Sequence, residues 1–507
     1  MQTRVMQLHL LMFWSSLTCL RPHAQTIQWG IQRRPPAPEL QRRSAQNTTW
    51  EEVINNEKGK GGYFATVVVG NPGQDLVLQL DTASSDIWVP FSGATICGES
   101  TIGCNLGSYD PGASNTFRYT ARDQFQISYF DQSFSSGDYF EDSFEIGGAM
   151  LHNLTMGLGR QTNIPYGLVG VGYAINEASL ATIGEMYPNL PIAMQEAGLI
   201  NSIAYSLWLN DLDASTGNIL FGGIDTGKFI GDLVKVDVLI NEEINDYTHF
   251  TIAMSSLEAT SPTGSDILTS PDAPIEVVLD SGTTLTYLPN DMASKVWKEV
   301  GAEYQEVFGL AVLPCSHGLH PGHFSFGFAG PGGPRIAIGM DELVVDLTGG
   351  NPPYFASGPY EGEHVCAFGI QNYTNGPYTL GDTFLRSAYV VYDLENHEVG
   401  LAATKFNSTD TDILAFESKG AHMPSAVSIT STGDESKPTL PPSTEFKAAS
   451  GFQQEDYNGT NGADEDSLAG ISNVNPRLLA TTLVVTTLIQ ATDFCRIVSW
   501  YAKKAIH

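Results

Sequence analysis

Apolar positions alternate with polar ones, or run β-branched, over Tyr63 to Val69, Asp75 to Leu80 and Gln124 to Tyr129, with Gly, Pro and Asn between the runs. This period predicts half-buried strands joined by tight turns. Helical spacing is rare, and its candidates are Ile192 to Ala197 and Met292 to Tyr304. Two apolar runs end alike. Leu76 to Leu80 leads into Asp81-Thr82-Ala83-Ser84-Ser85-Asp86-Ile87-Trp88-Val89-Pro90, and Val277-Val278-Leu279 leads into Asp280-Ser281-Gly282-Thr283-Thr284-Leu285. Each reads as a strand feeding a turn through Asp, a small hydroxyl residue and a very small residue. One such turn is ordinary, because Asp closes many strands. Two in one chain predict a duplicated, mostly β architecture in which two carboxylates come face to face, with a linker near residues 226–236.

Further segments join these motifs. Gly167-Leu168-Val169-Gly170-Val171-Gly172, Leu220-Phe221-Gly222-Gly223-Ile224-Asp225, Gly381-Asp382-Thr383-Phe384-Leu385-Arg386 and Val390-Val391-Tyr392-Asp393 follow in order. With the two Asp motifs, they make the chain resemble the pepsin-like aspartic proteases over roughly residues 60–405, and within them the fungal yapsin-type enzymes of the cell surface. The resemblance implies a bilobal acid-protease fold, with an N-terminal lobe at 60–225, a C-terminal lobe at 226–413 and the cleft between them. It also implies that the last two segments form C-terminal strands.

Peptide hydrolysis at low pH needs a base to activate water and an acid to protonate first the carbonyl oxygen and then the leaving nitrogen. Two adjacent carboxylates cannot both ionise cheaply, so the pair keeps one proton over an acidic window. The resemblance assigns this work to Asp81 and Asp280, with no cofactor, no metal and no covalent intermediate. It makes Thr82 and Ser281 the hydroxyls that lock the two turns together, and Ser84 and Thr283 the donors to the outer carboxylate oxygens. Ala83 stands where the family has Gly; its N–H is kept, while its methyl must fit and would be costly at positive φ.

Gln126-Ile127-Ser128-Tyr129-Phe130-Asp131 resembles the flap that closes over substrate, which implies a Tyr129 hydroxyl paired with Trp88; an ordinary buried aromatic pair is the plain alternative. Phe130 and Gln132 stand where that flap usually carries Gly. Asp131 could face the pocket for the residue before the cut and pair with Lys or Arg, in keeping with the basic-residue cleavage of yapsin-type enzymes. The alternative is a solvated acid at a hairpin tip.

Composition narrows the partners. The chain has 507 residues and a formal net charge of −31, so nucleic acid, which needs a basic face, is excluded as a partner. Peptide and protein substrates fit, cationic ones best, with the enzyme as a monomer. Arg4, the apolar stretch Val5 to Leu20 and Pro22-His23-Ala24 read as a secretory signal over residues 1–24. Arg42-Arg43 then ends a propeptide at 25–43, or is simply a solvated pair. Of the six cysteines, Cys19 lies in that signal and Cys495 in the tail. The remaining Cys97, Cys104, Cys315 and Cys366 allow three pairings; the resemblance favours Cys97–Cys104 and Cys315–Cys366. Sequons at Asn47, Asn153, Asn372, Asn407 and Asn458 suit a secreted glycoprotein.

Residues 414–475, rich in Ser, Thr, Pro, Gly and acids, predict an extended stalk without a core. In the tail at 476–507, Leu478 to Ile489 is too short to span a bilayer. Together with the small residues and polar spacer before it, the run resembles a GPI-attachment signal, although Asp493, Arg496, Lys503 and Lys504 follow it. A cell-surface location through a C-terminal membrane or cell-wall anchor is the resulting expectation. His317, His320 and His323 repeat at spacing three, but Gly318, Pro321 and Gly322 break any aligning helix, so a plain surface loop is favoured over a metal site. Gly327 to Gly333 lacks the residues of a phosphate loop and reads as a hairpin connection. The competing class for the whole chain is a non-catalytic pepsin-fold protein that binds peptide or cell-wall polymer in its cleft.

Overall fold

The computed structural model describes residues 48–57, 61–100, 102–270, 273–428 and 442–453. The signal, propeptide, Asn47, Asn458 and the apolar run at 478–489 lie outside them. The predicted strands form as Gly62–Val69, Gln74–Asp81 and Arg118–Ser128. The two helices are Leu190–Glu196 and Asn290–Val300. The second stops short of its predicted end at Tyr304 because Gly301 turns left-handed at φ 72 and caps it.

The two-lobed, mostly β architecture is present, and its two halves repeat one crossing. Strand Gln74–Asp81 pairs in parallel with Leu168–Gly170, which pairs antiparallel with Ile87–Pro90, which pairs in parallel with Ala149–Thr162. In the second half Ile275–Leu279 pairs in parallel with Tyr378–Leu380, which pairs antiparallel with Thr286–Pro289, which pairs in parallel with Ile370–Tyr373. Each Asp therefore leaves the end of a strand whose flanks are held on both sides. Of the segments expected as C-terminal strands, Ala388–Asp393 is one, whereas Asp382–Leu385 is a short helix.

Two boundaries differ from the sequence reading. The first lobe begins before residue 60, since Trp50–Glu57 lies between Gly62–Val69 and Thr216–Phe221 with Ile54 opposite Ala65 and Trp50 opposite Phe221. The expected linker is instead mostly strand, Phe229–Asp237, paired with Glu398–Thr404. A 14-stranded sheet runs through both halves, joined where Ala204–Trp208 meets Ala388–Asp393 and the Tyr205 and Tyr392 rings stack at 4.9 Å.

The largest departure is the stalk. Ile413–Ala415 pairs with Gly223–Asp225, and Ala426–Ser428 lies parallel to Phe229–Asp237. Phe416 and Met423 are buried. Further on, residues 442–453 lie across the second lobe as a strap: the Ser443 N–H donates to the Ile267 carbonyl at 2.9 Å and the Ala448 N–H to Asp266 at 2.7 Å. Phe452, fully buried, stacks on Phe324 at 5.1 Å, and its carbonyl meets the His320 ring nitrogen at 2.7 Å. Gly322, at φ +127, makes the seat, because a Cβ there would lie 2.4 Å from the Phe452 ring. His320 is thus buried against the strap and His317 is buried beside it, their ring centroids 4.3 Å apart, not in a plain surface loop. Average composition hid this. A few widely spaced apolar residues suffice when each finds an apolar seat in a preformed lobe.

Both disulfides favoured by the resemblance are formed, Cys97–Cys104 and Cys315–Cys366. Among the described residues no helix is long and apolar enough to cross a membrane.

Candidate active site

Asp81 and Asp280 leave their strands at the centre of the molecule, and both are buried. Their turns interlock. Thr82 Oγ1 donates to the Leu279 carbonyl at 3.0 Å and accepts the Ser281 N–H at 3.0 Å, while Ser281 Oγ donates to the Leu80 carbonyl at 3.1 Å. Each lobe thus grips the backbone of the other. Small residues make room behind the turns. A Cβ on Gly170 would lie 2.7 Å from the Asp86 carbonyl oxygen, and one on Gly381 would lie 2.3 Å from that of Thr283.

The two carboxyl groups are close enough for each to shift the other's titration. Asp81 accepts the Ala83 N–H at 2.9 Å, the Ser84 N–H at 3.2 Å and the Ser84 hydroxyl at 2.5 Å. Asp280 accepts the Gly282 N–H at 2.7 Å and the Thr283 hydroxyl at 2.6 Å. Burial raises both, but the consequences differ. Donors from Ser84 and Ala83 pull Asp81 back down, whereas the charge of Asp81 adds to the burial that holds Asp280 well above the usual carboxylate range. A pair coupled in this way titrates as a unit.

Ala83 is not in the left-handed region, so its methyl carries no backbone strain, and its carbonyl accepts a hydrogen bond from Asn176 Nδ2 at 3.0 Å. Asn176 in turn lies 3.1 Å from His249 Nε2. Behind the first motif, Asp86 accepts the Tyr187 hydroxyl and the Ala178 N–H, each at 2.8 Å, and burial raises it. Nearby Glu177 is pushed up to about 8 by burial. Behind the second motif, burial holds Asp382 well above its ordinary value against the pull of Arg386, itself buried and paired with Glu342.

Strands Arg118–Ser128 and Phe134–Ile146 make the hairpin, with the Tyr129 N–H donating to the Ser133 carbonyl at 2.8 Å across its tip. The Trp88 indole N–H donates to the Tyr129 hydroxyl at 2.8 Å. Gln132, standing where Gly is usual, takes φ 68, and Phe130 packs edge-on against Tyr373 of the second lobe at 4.7 Å. The hairpin tip therefore reaches across the cleft. Asp131 is half-buried; one of its oxygens accepts the Ser133 N–H at 2.9 Å. Burial, and after it the Asp131 charge, raises the phenols of Tyr166 in the first lobe and Tyr287 in the second.

Of the described sequons, Asn153 and Asn407 are exposed, while Asn372 is half-buried and donates to Asn290 at 2.9 Å. The sequence reading missed Gln79, whose Nε2 donates to the Gly282 carbonyl at 3.3 Å from the opposite lobe. Its signal was a polar residue on the same strand face as Asp81, inside an otherwise apolar run.

A family model described as eukaryotic aspartyl protease matches residues 62–404. The chain is 39% identical over 418 residues to the probable aspartic-type endopeptidase OPSB of Arthroderma benhamiae, covering 81% of this chain and 82% of that protein. It is 39% identical over 406 residues to the probable aspartic-type endopeptidase opsB of Aspergillus fumigatus, covering 80% of each. It is 30% identical over 401 residues to aspartic proteinase yapsin-3 of Saccharomyces cerevisiae, covering 77% of this chain and 74% of that one. The chain belongs to the eukaryotic aspartyl proteases.

Proposed function

We propose that this aspartic endopeptidase works through Asp81 and Asp280, is secreted, and cuts after Lys or Arg at acidic pH. The observation that carries the mechanism is the buried pair of carboxyl groups, each held by N–H and hydroxyl donors of its own turn and each acting on the other. Asp81 acts as the ionised partner and takes a proton from the attacking water. Asp280 delivers its proton to the carbonyl oxygen as the tetrahedral diol forms. Collapse then passes a proton to the nitrogen, the C–N bond breaks, and the pair again holds one proton. Tyr129, tied to Trp88, walls the site under the hairpin.

The basic preference rests on the net charge of −31 and on the half-buried Asp131 among Tyr129, Tyr166 and Tyr287. A partly desolvated carboxylate holds a cationic head more firmly than a surface acid does. Secretion, maturation after Arg43, glycosylation and a C-terminal anchor rest on the segments at either end of the chain. N-terminal sequencing of the protein recovered from culture medium should begin at Ser44.

The test is the full chain beside an Asp280→Asn version, each given a peptide library at pH 4 and pH 7. Cuts after Lys or Arg at pH 4 that vanish in the variant support the reading. No cutting by either protein, with both folded, would move the chain to the peptide-binding class.

A further inference from the structure

Gln79 is fully buried on the strand that ends in Asp81, two residues before it and on the same face. Its neighbours across the sheet are Phe64 on one side and Leu168 on the other. Both belong to the apolar cluster beneath the hairpin that includes Trp88, Tyr129 and Tyr166, with the Tyr166 ring edge-on to Phe64 at 5.1 Å. A single amide interrupts this apolar wall. Because the Gly282 carbonyl can only accept, Nε2 must face it, at 3.3 Å. That fixes Oε1 on the other side, where it is buried and makes no hydrogen bond.

A buried acceptor without a donor is costly, and proteins retain one chiefly where function supplies the partner. The donor's chemistry follows from the site. Between Phe64 and Leu168 it must arrive on an apolar stem, and it must end in a hydrogen-bond donor. We infer that Gln79 is a specificity-determining residue: its amide oxygen receives the charged head of the Lys or Arg side chain before the scissile bond. This rests on the basic preference proposed for Asp131 and divides the labour. Asp131 supplies charge, and Gln79 supplies a directed neutral acceptor on the wall that also holds Gly282, next to Asp280.

The test uses peptides identical except for the residue before the cut: lysine, 6-hydroxynorleucine and norleucine. The wild-type enzyme should order kcat/KM as lysine, then hydroxynorleucine, then norleucine. The first step reports charge and the second reports a neutral hydrogen bond. Gln79→Met should shrink the second step about tenfold, whereas Asp131→Asn should shrink mainly the first. Wild-type rates equal for hydroxynorleucine and norleucine would overturn the role of Gln79 without any variant having to fold. A Gln79→Met enzyme that loses rate equally on all three peptides would overturn it too, reducing Gln79 to a support for Gly282. Equal rates on lysine and hydroxynorleucine would instead overturn the Asp131 reading while leaving the neutral acceptor standing.

Discussion

The turns Asp81 to Asp86 and Asp280 to Leu285 sit on the same four-strand crossing, yet they place their carboxylates in different electrostatic situations. The Ala83 N–H and the Ser84 N–H and hydroxyl donate to Asp81, and the Gly282 N–H and the Thr283 hydroxyl donate to Asp280. The first backs onto the buried acids Asp86 and Glu177, and the second onto Asp382 with Arg386. A symmetric scaffold can therefore run asymmetric chemistry. Pairing geometry brings the acids together, and the groups packed behind each turn give each carboxyl its own surroundings.

The severest way to break this comparison is to remove an acid. Asp81→Asn and Asp280→Asn should each lower kcat by about a thousandfold or more in steady-state assays, with melting temperatures near wild type. Removing one donor from each side sharpens it. Ser84→Ala and Thr283→Ala should each cost about tenfold in kcat. Because each hydroxyl lowers its own carboxyl, Ser84→Ala should move the acid limb of the kcat/KM profile to higher pH, and Thr283→Ala the alkaline limb. Movement of the same limb by both variants would break the assignment of one proton to one side.

The two lobes can also be compared through acids outside the dyad. Burial raises Glu52 to about 7 and Glu177 to about 8 in the first lobe, and Glu299 to about 8 in the second, all from an ordinary 4.5. A raised carboxyl favours the fold while protonated, so the stability it contributes is fully present below about 4.5 and is lost as pH rises through 7 to 8. The melting temperature should accordingly fall between pH 5 and pH 8, and Glu177→Gln and Glu299→Gln should each recover part of the fall. The smallest effect belongs to Ala83→Gly. With the Ala83 N–H already on Asp81 and no left-handed φ to relieve, kcat/KM should change by less than about twofold.

The two Asp motifs were legible because they are local. Strand, turn and hydroxyl lie within a few residues, and duplication made them stand out. The hairpin tyrosine and its Trp88 partner were legible through resemblance, since order and spacing carry that information. Gln79, Asn176 and the strap were not, because their partners lie far off in sequence: Gly282 for Gln79, Ala83 for Asn176, and Asp266 and His320 for Ala448 and Phe452. A composition average over a long polar stretch has no means of registering one phenylalanine that fits a waiting groove. Helix ends failed more mildly, at Gly301, where a left-handed cap overrode an apolar period that continued past it.

The strap has a mechanical consequence. Phe452 pins the end of the strap beside Phe324 and Gly322 in the second lobe. A pull on that end meets the aromatic seat first, before it can reach Ala426–Ser428 or the strands that carry Asp81 and Asp280. A load applied at residue 453 would therefore fall first on Phe452 and its seat in the second lobe, not on the turns that hold Asp81 and Asp280.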